Sequence, residues 1–213
     1  MNLKGSQKSK HLRQSYKLLR NDFRSSNKWE IPCVKRCTVD ITGIKLVGID
    51  KTRQSDNSRN ILKTVHFFVE DYKIEKLYNN PENYLYRLAQ YPHVLTPDYS
   101  LYRDMPLALQ ISNTFKSRWC GAYWQEHGLS VIPTVSWSTF ESYGFCFDGL
   151  ERESVVAIST LGALTEKEYF LSGYFEMKNR INPKSILCFG NAFPEMGDEV
   201  IVVSYLETTG RAK

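Results

Sequence analysis

Residues 154–160, Ser-Val-Val-Ala-Ile-Ser-Thr, form a nearly continuous apolar run rich in β-branched side chains. Such a run is the pattern of a strand buried on both faces. Downstream, the sequence predicts a helix from Thr165, with Glu166 and Glu168 in its first turn, to about Arg180. Pro183 stops it, and further strands are expected at residues 185–189 and 199–205. Upstream, residues 130–137 (Ser-Val-Ile-Pro-Thr-Val-Ser-Trp) read as another buried strand, followed by a shorter helix from near Ser138 towards Gly149. Before them a long helical stretch covers residues 106–127, with Leu109, Ile111, Phe115, Trp119 and Tyr123 on overlapping apolar stripes, Asp104 as its N-cap and Gly128 as its C-terminal cap residue. A short strand at residues 93–96 precedes it and runs into Pro97-Asp98-Tyr99-Ser100. The strand–helix alternation predicts an α/β fold: a mostly parallel sheet, or a small incomplete barrel, with covering helices.

The first part of the chain is less regular. Strands are expected at residues 31–34, 38–41, 44–49 and 64–69, with a polar surface loop at residues 51–60. Residues 71–90 have helical character interrupted at Asn79-Asn80-Pro81, with Tyr84, Leu85 and Leu88 facing inward.

Composition narrows the class. The 213 residues are 42% hydrophobic and 13% aromatic, which is enough to build a core and excludes wholesale disorder. The sequence has no apolar run of the roughly 18 residues a membrane span needs. Its N-terminal charges are not followed by the apolar stretch of a secretory signal. Five cysteines, an odd number with no CxxC pair, predict reduced thiols in a cytoplasmic protein. The formal charge of +5 is unevenly placed: residues 1–28 hold eight Lys and Arg against Asp22 alone, a net +7, which leaves −2 for residues 29–213. The expected organisation is a basic N-terminal arm over 1–28, flexible or an amphipathic helix carrying Leu12, Tyr16, Leu19 and Phe23 on one face, and a single α/β domain over 29–213. Lys4, Lys8, Lys10, Arg13, Lys17, Arg20 and Arg24 are the expected phosphate contacts of such an arm.

In parallel α/β folds, ligands gather at the carboxyl ends of the strands. This rule selects Asp98, Tyr102 and Asp104 as candidate catalytic groups, and Arg103, Ser136, Trp137, Ser159 and Thr160 as candidate substrate contacts. Two carboxylates, several hydroxyls, an Arg and a Trp suit a polar ligand that contains a ring. Each has a purely structural alternative: Asp98 as a turn or cap residue after Pro97, Trp137 as core. No phosphate-cradling glycine loop, G-x-S-x-G elbow or kinase signature is present, and no cofactor is expected. His11, His66, His93 and His127 are isolated, and Cys33 and Cys37 lack a second pair, so no metal is expected.

The run His93-Val94-Leu95-Thr96-Pro97-Asp98-Tyr99-Ser100, then Trp119, Gly121-Ala122-Tyr123-Trp124, Gly128-Leu129-Ser130-Val131-Ile132-Pro133, Ser136-Trp137, Val155-Val156-Ala157-Ile158-Ser159-Thr160 and Phe170-Leu171-Ser172-Gly173-Tyr174 resembles a domain-of-unknown-function family found in phages and mobile genetic elements. The resemblance covers about the last two-thirds of the chain and leaves out the basic arm. It implies a setting, not a reaction: replication, transfer or defeat of host immunity. The leading expectation is a nucleic-acid-acting protein of a phage or mobile element, replication-linked or acting in counter-defence as an anti-CRISPR protein that inhibits or cleaves a nucleic-acid-guided immune complex. Its arm would contact RNA or single-stranded DNA, and a nuclease or hydrolase version would use Asp98 as base or metal-facing carboxylate and Arg103 as phosphate clamp. Two alternatives stand beside it: a non-enzymatic inhibitor that binds a host protein complex through the aromatic-rich surface, and an enzyme acting on a small nucleotide or sugar.

Overall fold

The computed structural model describes residues 19–205 and Thr208. Among these residues there are seven short strands: β1 Leu46–Gly48, β2 Thr64–His66, β3 Val94–Leu95, β4 Val131–Ile132, β5 Val155–Ser159, β6 Ser185–Phe189 and β7 Val200–Val203. Helices α1 (Asp71–Asn79) and α2 (Glu82–Leu88) follow β2, α3 (Leu107–Glu126) joins β3 to β4, and α4 (Lys167–Ile181) joins β5 to β6. Every ladder is parallel, in the orders β1-β2-β3-β4 and β5-β6-β7. Pro133 lacks the N–H that would extend β4, so the run expected as one strand over 130–137 ends at Ile132. The chain re-engages one residue later through a parallel bridge between Thr134 and Ala157, which connects the two sheets edge to edge.

The strand order therefore runs from β1 to β7 without reversal. A parallel array wound in one direction keeps its crossovers on one side and curls, unlike a doubly wound sheet, whose order reverses at a switch point. The curl is visible in the interior: the Phe189 ring at the end of β6 stacks on Phe68 and meets His66, at the end of β2, with 4.7 Å between centroids in each case. The fold is an incomplete α/β barrel of this kind.

Alternation along β5 and β6 assigns each side chain to a layer. Val155, Ala157, Leu187 and Phe189 join the cluster that fills the interior with Val65, Val94 and Trp124. Val156, Ile158, Ile186 and Cys188 point the other way and pack under Tyr174, Met177 and Ile181 of α4. The interruption at residues 79–81 separates α1 from α2, with Pro81 at the boundary. Gly128, at φ +82°, follows the end of α3 as expected.

Three expectations need correction. Residues 31–34 and 38–41 are not strands; Pro32 interrupts the first, and Val34 makes a lone bridge to Leu150. The backbone there is satisfied instead by Gly149, by the Ser154 hydroxyl and by the Gln125 side chain. Asp104 does not cap α3: that helix starts after Pro106 with no side-chain cap, and Asp104 is exposed. Leu109 is 54% exposed, because the buried face of α3 is carried by Gln110, Thr114, Ser117, Arg118 and Gly121 as well as Trp119.

That polar face is held by hydrogen bonds. Arg118 is buried and donates to the carbonyls of Thr134 (2.8 Å), Cys146 (2.9 Å) and Asp148 (3.3 Å). The Thr96 hydroxyl accepts from the Thr134 amide at 2.8 Å, the Thr134 hydroxyl donates to the Thr96 carbonyl at 2.8 Å, and the Ser117 hydroxyl reaches Thr96 at 3.2 Å. Gly121 lets α3 come this close, since a Cβ there would lie 2.6 Å from the Thr96 methyl. Arg118→Met keeps most of the volume but takes the donor away from three carbonyls, two of them on buried residues. It is expected to lower the unfolding free energy by about 3 kcal/mol or more, read from urea denaturation.

Candidate functional site

The carboxyl ends of the strands open into one cavity of about 990 Å³, within the range of small-molecule sites. Its wall takes Gly48 from β1, His66 from β2, Asp98 beyond β3, Ser136 and Trp137 beyond β4, and Ser159 from β5. Of the expected residues, Asp98, Tyr102, Arg103, Ser136, Trp137 and Ser159 all line it. Thr160 does not: by strand alternation it turns to the outer layer, where it is buried and its hydroxyl faces the Phe189 carbonyl at 3.5 Å. Asp104 also lies outside the wall.

Asp98 is the carboxyl of the cavity wall that its surroundings shift. Exclusion of water by the surrounding protein and the nearby negative charge of Asp71 push its carboxyl up to about 7, against a hydrogen bond from Ser136 and the Arg118 charge, which both favour the ionised form. Asp71, at the start of α1, is itself held by the Ser100 amide and hydroxyl at 2.9–3.2 Å. The loop after β3 thus sets the spacing of the two carboxylates.

One wall of the cavity is aromatic. Trp137 packs between Phe170, at 5.0 Å, and Phe147, at 6.2 Å. It rests on Gly173 of α4, where a Cβ would fall 2.1 Å from the indole. Trp137 is therefore both a packing element and a cavity surface. Tyr102 is 63% exposed at the rim. Arg103 pairs with Glu166 at 2.6 Å and lies 4.9 Å over the Tyr169 ring, so a ligand phosphate would compete with a partner already in place.

His66, Asp71 and Arg118 are not among the residues the strand-end rule selects from the expected strands. His66 ends a strand, just as Asp98 follows one, and the same strand-end rule finds it once β2 is stopped at residue 66 instead of 69. Arg118 carries no local signal, because its three carbonyl partners come from loops 16 to 30 residues away.

Of the expected phosphate contacts, Lys4, Lys8, Lys10, Arg13 and Lys17 lie outside the described residues. Arg24 is exposed. Arg20 is buried instead, its guanidinium 4.1 Å over the Trp119 ring and 4.5 Å over Tyr78, where cation–π attraction holds it to its own fold. Among the described residues there is no cluster of three or more His, Cys, Asp or Glu placed to hold a metal ion, and no helix long and apolar enough to cross a membrane. The five cysteines are all unpaired thiols.

Residues 23–206 match the family described as a domain of unknown function, DUF4417, and the chain belongs to that family. It is 40% identical over 175 residues to the Gene 1 protein of Mycobacterium phage L5, a match covering 81% of this chain and 76% of that protein. It is 38% identical over 175 residues to the Gene 1 protein of Mycobacterium phage D29, covering 81% of this chain and 64% of the phage protein. No solved structure matches.

Asp98 and His66, both in the cavity wall, give opposite pH dependences. Asp98 binds its proton more tightly in the folded state, so its contribution to stability is full below about pH 4 and is lost as pH rises towards 7. His66 is held down by burial to about 4 from 6.5; its contribution is full above pH 6.5 and is lost as pH falls towards 4. The slopes oppose each other below pH 6.5, and above it only that of Asp98 remains. The urea midpoint of the wild type is expected to fall between pH 6.5 and 7.5, whereas that of Asp98→Asn should stay level across the same interval.

Proposed function

We propose that the strand-end cavity is an active site in which Asp98 exchanges a proton with a small polar ligand that contains a ring, a nucleotide or a sugar. The observation that carries this reading is a carboxyl poised near neutrality in the wall of a cavity of about 990 Å³. A group whose pKa lies near the working pH accepts a proton and returns it with little cost in either direction. Ser136 and Arg118 favour the ionised carboxylate, and burial and Asp71 favour the protonated form, so both states are accessible. Trp137 and Phe170 supply faces for a ring, and Ser136 and Ser159 supply hydroxyls for its polar edge. Thermal shift across a panel of nucleotides and phosphorylated sugars tests the reading. A binding ligand should raise Tm in both wild type and Asp98→Asn, while turnover of that ligand falls by at least about 100-fold in the variant. Equal turnover by the two proteins would exclude Asp98 as the proton carrier.

A second reading, nucleic-acid action, is favoured by the net +7 of residues 1–28. Phosphate neutralisation by that segment predicts binding of single-stranded RNA that weakens steeply with salt. Replacing Lys4, Lys8, Lys10, Arg13 and Lys17 together by Gln in the full-length chain should flatten the salt slope by several units. An unchanged slope would remove the segment from the contact. In this reading the likeness to Gene 1 proteins of two phages supports a role in replication or counter-defence.

A further inference from the structure

We infer that His66 is a second ligand-contacting group of this cavity, a neutral imidazole that donates a hydrogen bond from Nε2 to a carbonyl oxygen of the ligand. The inference rests on the reading of the cavity as an Asp98-centred site and adds to it the chemical class of the ligand.

The tautomer follows from one contact. The Phe68 amide donates to His66 Nδ1 at 3.2 Å. A ring nitrogen that accepts a hydrogen bond carries no proton, so the proton of the neutral ring is on Nε2. Rotation of the ring is blocked by packing: the imidazole is stacked on Phe68 at 5.6 Å and lies 4.7 Å from Phe189, with only 4% of the residue exposed. Burial also holds the ring uncharged at neutral pH. The Nε2–H is thus a fixed, uncharged donor.

Gly48, at the end of β1, brings backbone close to the ring: a Cβ at that position would sit 3.5 Å from Nε2 and 2.5 Å from the Asp50 carboxylate, so only glycine leaves both side chains where they are. Among the described residues Nε2 makes no hydrogen bond. Gly48, His66 and Asp98 line the same cavity. A second unfilled polar group lies in that wall: the Ser138 hydroxyl is buried, belongs to a residue only 7% exposed, and has no partner. Two polar groups without protein partners, in the wall of one cavity, are the complement of a ligand that carries oxygens.

The division of labour between Asp98 and His66 names the ligand chemistry. When the Asp98 carboxylate takes a proton from an atom next to a carbonyl, the electron pair of that bond moves into the carbonyl and its oxygen gains the negative charge. The Nε2–H of His66 holds that oxygen, and protonated Asp98 returns the proton to the same ligand, so the step is a tautomerisation with no other reactant. A fixed donor aimed at developing charge is the strongest contribution a site of this kind makes. The carbonyl belongs either to a pyrimidine ring of the uracil type or to a keto sugar phosphate.

The full-length protein tests this with three probes: uridine 5′-monophosphate, ribulose 5-phosphate, and adenosine 5′-monophosphate as the ring without a carbonyl. Long-range ¹H–¹⁵N correlation spectra at pH 7 should show the Nε2–H tautomer of His66. A carbonyl-bearing probe should shift that resonance, and adenosine 5′-monophosphate should not. The probe that does so, uridine or ribulose phosphate, identifies the source. His66→Phe keeps the ring between Phe68 and Phe189 but removes the donor. It should weaken the carbonyl-bearing probe about tenfold and leave adenosine 5′-monophosphate unchanged. An Nδ1–H tautomer or a charged ring overturns the inference, as does binding of a carbonyl probe that leaves the His66 resonance unmoved. These readouts are made on the wild type and hold even if the variant fails to fold. Absence of binding by all three probes to both wild type and Asp98→Asn overturns the cavity reading itself, and the His66 assignment with it.

Discussion

A guanidinium placed where three carbonyls converge ties α3 to the connection between β4 and β5. Arg118 rises from the middle of α3, a helix of twenty residues, and its donors gather the carbonyls of Thr134, Cys146 and Asp148. These groups lie in the connection from β4 to β5, where Pro133 has already interrupted the ladder. Where backbone pairing is lost, side-chain donors take its place. Through this contact the positive charge also comes near Asp98, where it opposes burial and the Asp71 charge. One buried ion therefore serves the fold as a crosslink and the cavity as an electrostatic counterweight. Removing such an ion is costly because the groups it satisfied remain buried.

The alternation of strands and helices after residue 93 was legible because parallel strands covered on both sides must be apolar throughout. Residues 155–159 and 185–189 became β5 and β6 almost residue for residue. Open sheet and curled sheet were not separable by pattern. The distinction lies in the strand order and in contacts such as Phe189 against His66, which join residues far apart in sequence. The region before residue 46 misled, because its β-branched residues pack as an irregular segment whose partners are side chains and loops.

Of the residues the strand-end rule selects, Asp98, Ser136, Trp137 and Ser159 line the cavity and Thr160 does not. Adjacent residues at the end of a strand face opposite sides, and a rule about position along the chain does not contain that parity. Asp104 lies off the wall for another reason: the loop between β3 and α3 carries it to the surface before the helix begins. The raised carboxyl of Asp98 was invisible in the sequence, since it depends first on burial by distant segments and then on the charge of Asp71, which Ser100 holds.

The same parity has a consequence for how such a protein diversifies. On β5 and β6 the residues that face the interior and those that grip α4 are interleaved one by one along the chain. A change at Ser159 re-lines the cavity without touching the seat of the helix, and a change at Ile158 does the reverse. Neighbouring codons therefore belong to two nearly independent compartments. Substitutions on the cavity side and on the α4 side are thus separable, because each strand position contributes to only one of the two layers.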